Sequence, residues 1–158
     1  MIKLKPVSNE DCRLIWQWAN DPEVRAASFS SDSIHFENHV KWFEAKLNDP
    51  NCYFYIAVNR VHESIGQMRF DFKGNQATIS ISLSRKFRGQ GYGSKIIQLA
   101  SQKIFEVSDV NVIHAYVKKE NVVSLKAFQK ARFRAFNDSA IGEQPAFHLI
   151  LEKKSDDE

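Results

Sequence analysis

Between residues 64 and 84 apolar and polar side chains alternate with a period of two. In "SIGQMRFDF" Met68, Phe70 and Phe72 share one face while Gln67, Arg69 and Asp71 share the other; in "QATISISLS" Ile79, Ile81 and Leu83 oppose Thr78, Ser80 and Ser82. A period of two is that of a strand, and Lys73-Gly74-Asn75 supplies the turn between the two runs. Any register that pairs apolar with apolar also sets Gln67, Arg69 and Asp71 beside the three hydroxyls. The hairpin therefore has a polar floor. It is either a wetted sheet face, as antiparallel sheets often have, or a surface facing a polar ligand.

Elsewhere the period is helical or the runs are short and apolar. "IKLKPV" alternates like a strand. Ser8 and Asp11 form a capping-box-like start to "EDCRLIWQWAN", with Leu14, Ile15 and Trp18 on one face, and Asn20-Asp21-Pro22 breaks it. "HFENHVKWFEAKLN" places Phe36, Val40, Phe43 and Leu47 at helical spacing, ending at Asp49-Pro50. "CYFYIAV" reads as a strand before the hairpin, which a turn at Asn59-Arg60 introduces. After it come a helix to about Glu106, a buried strand "VNVIHAYV", a helix "NVVSLKAFQKA" and closing strands "FRAF" and "AFHLILE". The class is α+β: antiparallel strands followed by one strand–helix–strand crossover, with flanking helices.

Composition changes this picture little. The chain of 158 residues is one domain's worth, expected over 1–152 with a frayed tail at 153–158. No apolar run reaches a membrane span, and Met-Ile-Lys-Leu-Lys-Pro lacks a signal-peptide core. Cys12 and Cys52 make no disulfide or metal framework, so a reducing cytoplasm is the expected setting. Charge is more telling. Residues 1–80 carry nine Lys/Arg against ten Asp/Glu, whereas 84–134 carry eleven against three, a surplus of eight. Such a block is either a solvated face or the seat of a polyanion. Nucleic acid is not expected, because the segment has no nucleic-acid motif or aromatic stacking ladder.

That block opens with "RKFRGQGYGSKIIQLASQKIF", in which Gly89, Gly91 and Gly93 alternate just ahead of a helix. A helix N-terminus has free N–H groups and a positive dipole end, and glycines let a diphosphate approach that backbone. One glycine would serve a tight turn; three, with Arg88 before and Ser94-Lys95 after, point to phosphate. The P-loop pattern fails because Ser94 stands where its second glycine belongs. The dinucleotide fingerprint fails because the third glycine comes one position early.

Arg88-Gly89-Gln90-Gly91-Tyr92-Gly93 resembles the R/Q-x-x-G-x-G/A motif of the GNAT superfamily of acyl-CoA-dependent N-acyltransferases, and the order of elements agrees over nearly the whole chain. "ENVVSLKAFQKARF" is similar to that family's N-x-x-S/A-x-x-x-Y/F-x-K-x-G-F segment at Asn121, Ser124, Phe128, Lys130 and Phe133, with Arg132 where glycine is usual. The resemblance implies acetyl-CoA between two splayed strands. Its pyrophosphate would rest on the N–H groups of Gly89, Gln90, Gly91, Tyr92, Gly93 and Ser94, and its pantetheine along Ser82, Leu83 and Ser84. Asn121 and Ser124 would lie near the sulfur, Phe128 at the cofactor and Lys130 by the phosphates.

The implied reaction is direct attack of an amine on the thioester, which needs a neutral amine, an oxyanion donor near Leu83 and a proton for the thiolate. The family's common glutamate base aligns with Thr78 and its tyrosine acid with Phe128. Two routes stay open: water strings held by Thr78 and Ser80, or a base among Asp71, His39 and Glu37 with Ser124 or Tyr116 serving the thiolate. A CoA-binding module without turnover is a third possibility. His35 and His39 sit four apart without a third ligand, so no metal is expected. Trp18, Asn20, Asp21, Val24, Arg25, His39, Trp42 and Phe43 resemble a GNAT branch that acetylates nucleotide-linked deoxyamino sugars, as in the pseudaminic acid pathway. On that resemblance Arg25, His39, Trp42, Arg69 and Asp71 border a small-molecule amine acceptor, in a monomer or homodimer. Ribosomal-protein N-terminal acetyltransferases carry similar text, which keeps a peptide acceptor open.

Overall fold

The computed structural model describes residues 1–141 and 143–154. Its strands are β1 (Lys3–Pro6), β2 (Cys52–Val58), β3 (Ser64–Lys73), β4 (Gln76–Leu83), β5 (Val112–Lys118), β6 (Arg134–Ile141) and β7 (Gln144–Glu152). The helices are α1 (Cys12–Ala19), α2 (Pro22–Ala27), α3 (Phe36–Leu47), α4 (Tyr92–Val107) and α5 (Val122–Lys130). One sheet runs β1-β2-β3-β4-β5-β7-β6, antiparallel everywhere except between β4 and β5, which α4 connects.

The alternation read in the hairpin sets its register: Gln67 lies opposite Ser82, Arg69 opposite Ser80 and Asp71 opposite Thr78. The apolar face carries Met68, Phe70 and Ile79 into a core with Ile96, Ile97 and Ile104 of α4. On the other face Phe54 and Ile56 of β2 pack with Ile15 of α1 and Phe43 of α3, and Lys46 and Trp42 of α3 reach over to Asp71 and Arg69 of β3. Beyond that cover the polar floor is open.

Three expectations change. Asn20-Asp21-Pro22 ends α1 but also begins α2: Asp21 Oδ1 accepts the Glu23 N–H at 2.9 Å and Pro22 fills the first helical position. In α3 the buried position expected of Val40 is taken by His39. Lys153, placed in the tail, donates its backbone N–H to Asn111 O at 2.9 Å; residues 155–158 lie outside the described residues. Among the described residues no helix is long and apolar enough to cross a membrane.

Candidate active site

β4 and β5 pair only at Gln76–Val112, Ala77–Ile113 and Thr78–His114, although β4 continues to Leu83 and β5 to Lys118. Past Thr78 the two strands part. Ser84 donates its N–H to Ile65 O at 2.8 Å, so antiparallel alternation aims the Ile81 and Leu83 amides away from β3, into the opening. The Ser82 hydroxyl is buried, with no hydrogen-bond partner among the described residues. A buried, unmet hydroxyl costs about 1–3 kcal/mol, which a polar ligand arm in the slot would relieve.

The glycine turn closes the same end. Gly89 (φ +73°) and Gly91 (φ +83°) are left-handed, and Gly91 caps α4. A Cβ at either would meet nothing within 4 Å, so conformation and not crowding requires glycine there, and the space above the turn is open. At Gly93 a Cβ would lie 3.6 Å from Ala127 Cβ and 3.9 Å from Leu83 Cδ1, which seats the start of α4 between α5 and the end of β4. The free N–H groups of α4's first turn thus stand at the slot's mouth. Ser94 is buried in that turn, and Asn121 caps α5 by accepting the Ser124 N–H at 3.2 Å. An open slot, an orphan hydroxyl and an uncrowded helix N-terminus fit an extended chain ending in phosphate.

Arg88 does something other than expected. Its Nε and Nη2 donate to Leu83 O at 3.1 and 2.9 Å, and Nη1 reaches Glu23 at 2.8 Å and Asp21 at 3.4 Å. It ties the end of β4 to α2, whereas Lys95 and Lys130 have no ion pair among the described residues. Phe128 is 4% exposed and packs edge-on to Phe133 at 5.1 Å, so its ring belongs to the core and not to a cofactor surface.

The acceptor candidates divide. Arg69 lies with Cζ 5.0 Å from the Trp42 ring centre, donates to Asp71 at 2.9 Å and to Ser80 at 3.3 Å, and Lys46 holds the other Asp71 oxygen at 2.8 Å. Burial raises the Asp71 pKa, but its hydrogen bonds and the charges of Lys46 and Arg69 outweigh this and hold it below the ordinary carboxylate value. Asp71 is therefore a poor base. Arg25 is not on the floor's polar row. Its guanidinium donates to the carbonyls of Ala19, Ser30 and Asp32 and to Ser28 Oγ, stapling the loop after α2. His39 is 2% exposed and hydrogen-bonds Cys12 O at 3.0 Å. Burial draws its pKa down against that hydrogen bond, so it is a neutral core group and not an accessible base. Lys118 and Gln144 donate to Ala26 O and Phe29 O, which fixes the same loop across β5 and β7 as a wall. Among the described residues no group of three or more His, Cys, Asp or Glu could hold a metal ion. Cys52 is free and burial first of all pushes its thiol up to about 11.

Sequence reading missed two features. Gly66 admits no side chain, because a Cβ would come 2.6 Å from Ser82 O; β3 crosses β4 closely where the slot opens. His114 and His148 meet on the polar face, Nδ1 to Nε2 at 2.8 Å, through the pairing of β5 with β7. Nothing in a separation of 34 residues foretells that contact.

Comparison with known proteins completes the picture. Residues 2–134 match the family described as Acetyltransferase (GNAT) domain. A Campylobacter jejuni protein named Acetyltransferase PseH is 27% identical over 99% of this chain and 96% of its own, and a second strain's PseH is 25% identical over 98% and 96%. The fold superimposes on spermidine N-acetyltransferase from Vibrio cholerae in complex with CoA and spermine, with a TM-score of 0.86 at 15% identity, covering 96% and 95% of the two chains. It also superimposes on aminoglycoside acetyltransferase AAC(6')-Ib with coenzyme A and kanamycin, with a TM-score of 0.84 at 15% identity over 97% and 95%. With its family matched along most of its length, its sheet splayed between β4 and β5 and its glycine turn at the head of α4, the chain belongs to the GNAT family and is an acetyl-CoA-dependent N-acetyltransferase.

Proposed function

We propose that the enzyme transfers acetyl directly from acetyl-CoA to the amino group of a nucleotide-linked deoxyamino sugar. End-to-end similarity to two proteins named PseH carries the reading of the acceptor. The floor is compatible with it. Lys46 and Arg69 against Asp71 leave one net positive charge beside the Trp42 ring and the Ser80 hydroxyl, a suitable seat for a phosphorylated, hydroxylated ligand.

In this reading the amides of Ile81 and Leu83 and the Ser82 hydroxyl hold the pantetheine arm in the slot. The N–H groups of residues 89–94 hold the pyrophosphate, with Lys130 nearby. Asn121 and Ser124 stand at the sulfur end. When bound, acetyl-CoA supplies an activated acyl group. The chain aligns the amine with that group and offers a backbone N–H near Leu83 to the oxyanion. The wall formed by residues 26–32 and the α1–α3 cover border the floor. Burial raises the pKa of both the Cys12 and Cys52 thiols, which supports direct transfer over a cysteine-bound acyl group.

The test is acetyl-CoA consumption read as free thiol, with a UDP-linked 4-amino sugar and a panel of N-terminal peptides side by side. Turnover with the sugar alone is expected. Turnover with a peptide alone would replace the sugar by a protein N-terminus.

A further inference from the structure

Two charges must be met where the C–S bond breaks: the oxyanion on the acetyl carbon and the departing thiolate. A backbone N–H near Leu83 answers the first. The second has no answer at the position the resemblance implies, because Phe128 is a core ring with no proton to give.

Lys118 stands across the slot from that end of β4. Thr78 is the register partner of His114, and Ser82 and Lys118 each lie four residues further along parallel strands. Lys118 is therefore level with Ser82, next to Leu83, and strand alternation puts its side chain on the same polar face. α2 spans the gap between the two strand ends. Arg88, bound to Leu83 O, grips its first turn at Glu23, and Lys118 Nζ donates to Ala26 O in its last turn at 2.9 Å. Lys118 O also accepts the Asn121 N–H at 2.9 Å, so the strand end that bears the ammonium carries the start of α5.

Burial is the second observation. Lys118 is 7% exposed, and among the described residues its ammonium has that one hydrogen bond and no ion pair. An ammonium has three N–H donors, and taking it out of water is costly unless an opposite charge meets it. Holding a loop carbonyl does not require one: Gln144 holds Phe29 O of the same loop with a neutral amide. The other charged and titratable groups bordering this end are engaged elsewhere. Arg25 is committed to loop carbonyls, Arg85 and Arg88 offset Asp21 and Glu23, Lys119 lies over the Phe147 ring at 5.0 Å, and Tyr116 stacks on His148 at 4.4 Å.

We propose that Lys118 is a catalytic residue whose ammonium receives the CoA thiolate as an ion pair when the C–S bond breaks. The proposal rests on CoA lying in the slot with its sulfur toward α5, and not on which amine is acetylated.

The step balances. The neutral amine's lone pair forms the N–C bond to the acetyl carbon, and the C–S electron pair leaves on sulfur. Lys118 meets that charge with an N–H it keeps. The proton shed by nitrogen goes to solvent, and the thiolate takes one back when CoA departs.

The test needs no acceptor. CoA is bound to the wild-type enzyme, binding is confirmed by calorimetry, and the ultraviolet absorbance of its thiolate is followed against pH. The bound thiol is expected to ionise about one to three pH units below free CoA, as a cation at close range dictates. In Lys118→Met the shift should vanish. CoA that binds but ionises no earlier than free CoA would overturn the proposal, whereas CoA that does not bind would overturn the slot itself and the proposal with it. Kinetics give a second check, with whichever amine of the sugar and peptide panel turns over. Lys118→Met is expected to lose roughly a hundredfold in kcat, as when one preorganised donor is removed. Its calorimetric affinity for acetyl-CoA, whose sulfur carries no charge, should not move. An unchanged kcat, or a loss confined to KM for the amine, would make Lys118 a pin of the wall only and overturn the proposal. Should Lys118→Met fail to fold, the wild-type titration still decides.

Discussion

Gly91 and Gly93 stand two residues apart in one motif, yet the structure asks different things of them. Gly91 has φ +83° and no atom within 4 Å of a built Cβ; Gly93 is helical, and its Cβ would touch Ala127 and Leu83 at ordinary contact distance. Gly91→Ala should therefore carry the left-handed strain of a residue with a Cβ, about 1–2 kcal/mol. Gly93→Ala should be neutral or gain up to about 1 kcal/mol of helix propensity. For a chain of this size that is a fall in Tm of roughly 2–8 °C for the first and none for the second. Calorimetry with CoA adds the functional half. Gly91→Val places a branched side chain in the open space where the pyrophosphate is proposed to rest, and CoA binding should be lost. Melting followed by circular dichroism, then CoA titration, reads both effects. If Gly93→Ala were as damaging as Gly91→Ala, conformation would not be the reason for the glycines. If Gly91→Val kept full CoA affinity, the phosphate would not lie over this turn.

Other outcomes follow from single residues. Arg132 has φ +75°, so Arg132→Gly should raise stability by about 1 kcal/mol, read as an increased Tm. Arg25→Ala should cost about 1–3 kcal/mol by freeing several loop carbonyls, with CoA affinity unchanged by calorimetry; Arg25→Lys should not restore the loop, since one ammonium cannot reach the same set. His39 has a folded pKa below its unfolded value of 6.5, so the unfolded chain binds more protons as pH falls beneath that value and stability must decline there. Tm should drop between pH 7 and 5, less steeply in His39→Gln. Asp71, lowered from 3.8, enters only at more acidic pH.

The hairpin register was legible because period two admits no slip without turning every apolar side chain outward, and Gly74 at φ +63° holds the turn between β3 and β4. The glycine motif was legible because backbone conformation is written in residue type. Destinations of long side chains were not. Arg25 and Arg88 end on carbonyl oxygens, and every residue has one, so no pattern marks the partner. The histidine pair was hidden for another reason: it depends on β5 and β7 becoming neighbours with β6 outside them. His39 shows how little a helical pattern discriminates between adjacent positions, since one step around α3 exchanged Val40 for a histidine in the core.

The central claim is that thioester and amine are held together, in the slot and on the floor, and react directly. Initial rates of thiol release over a grid of acetyl-CoA and UDP-linked 4-amino sugar concentrations test it most directly. Intersecting double-reciprocal lines are predicted, as a complex of both substrates demands. Parallel lines would mean that the acyl group rests covalently on the protein before the amine arrives, and would contradict the account.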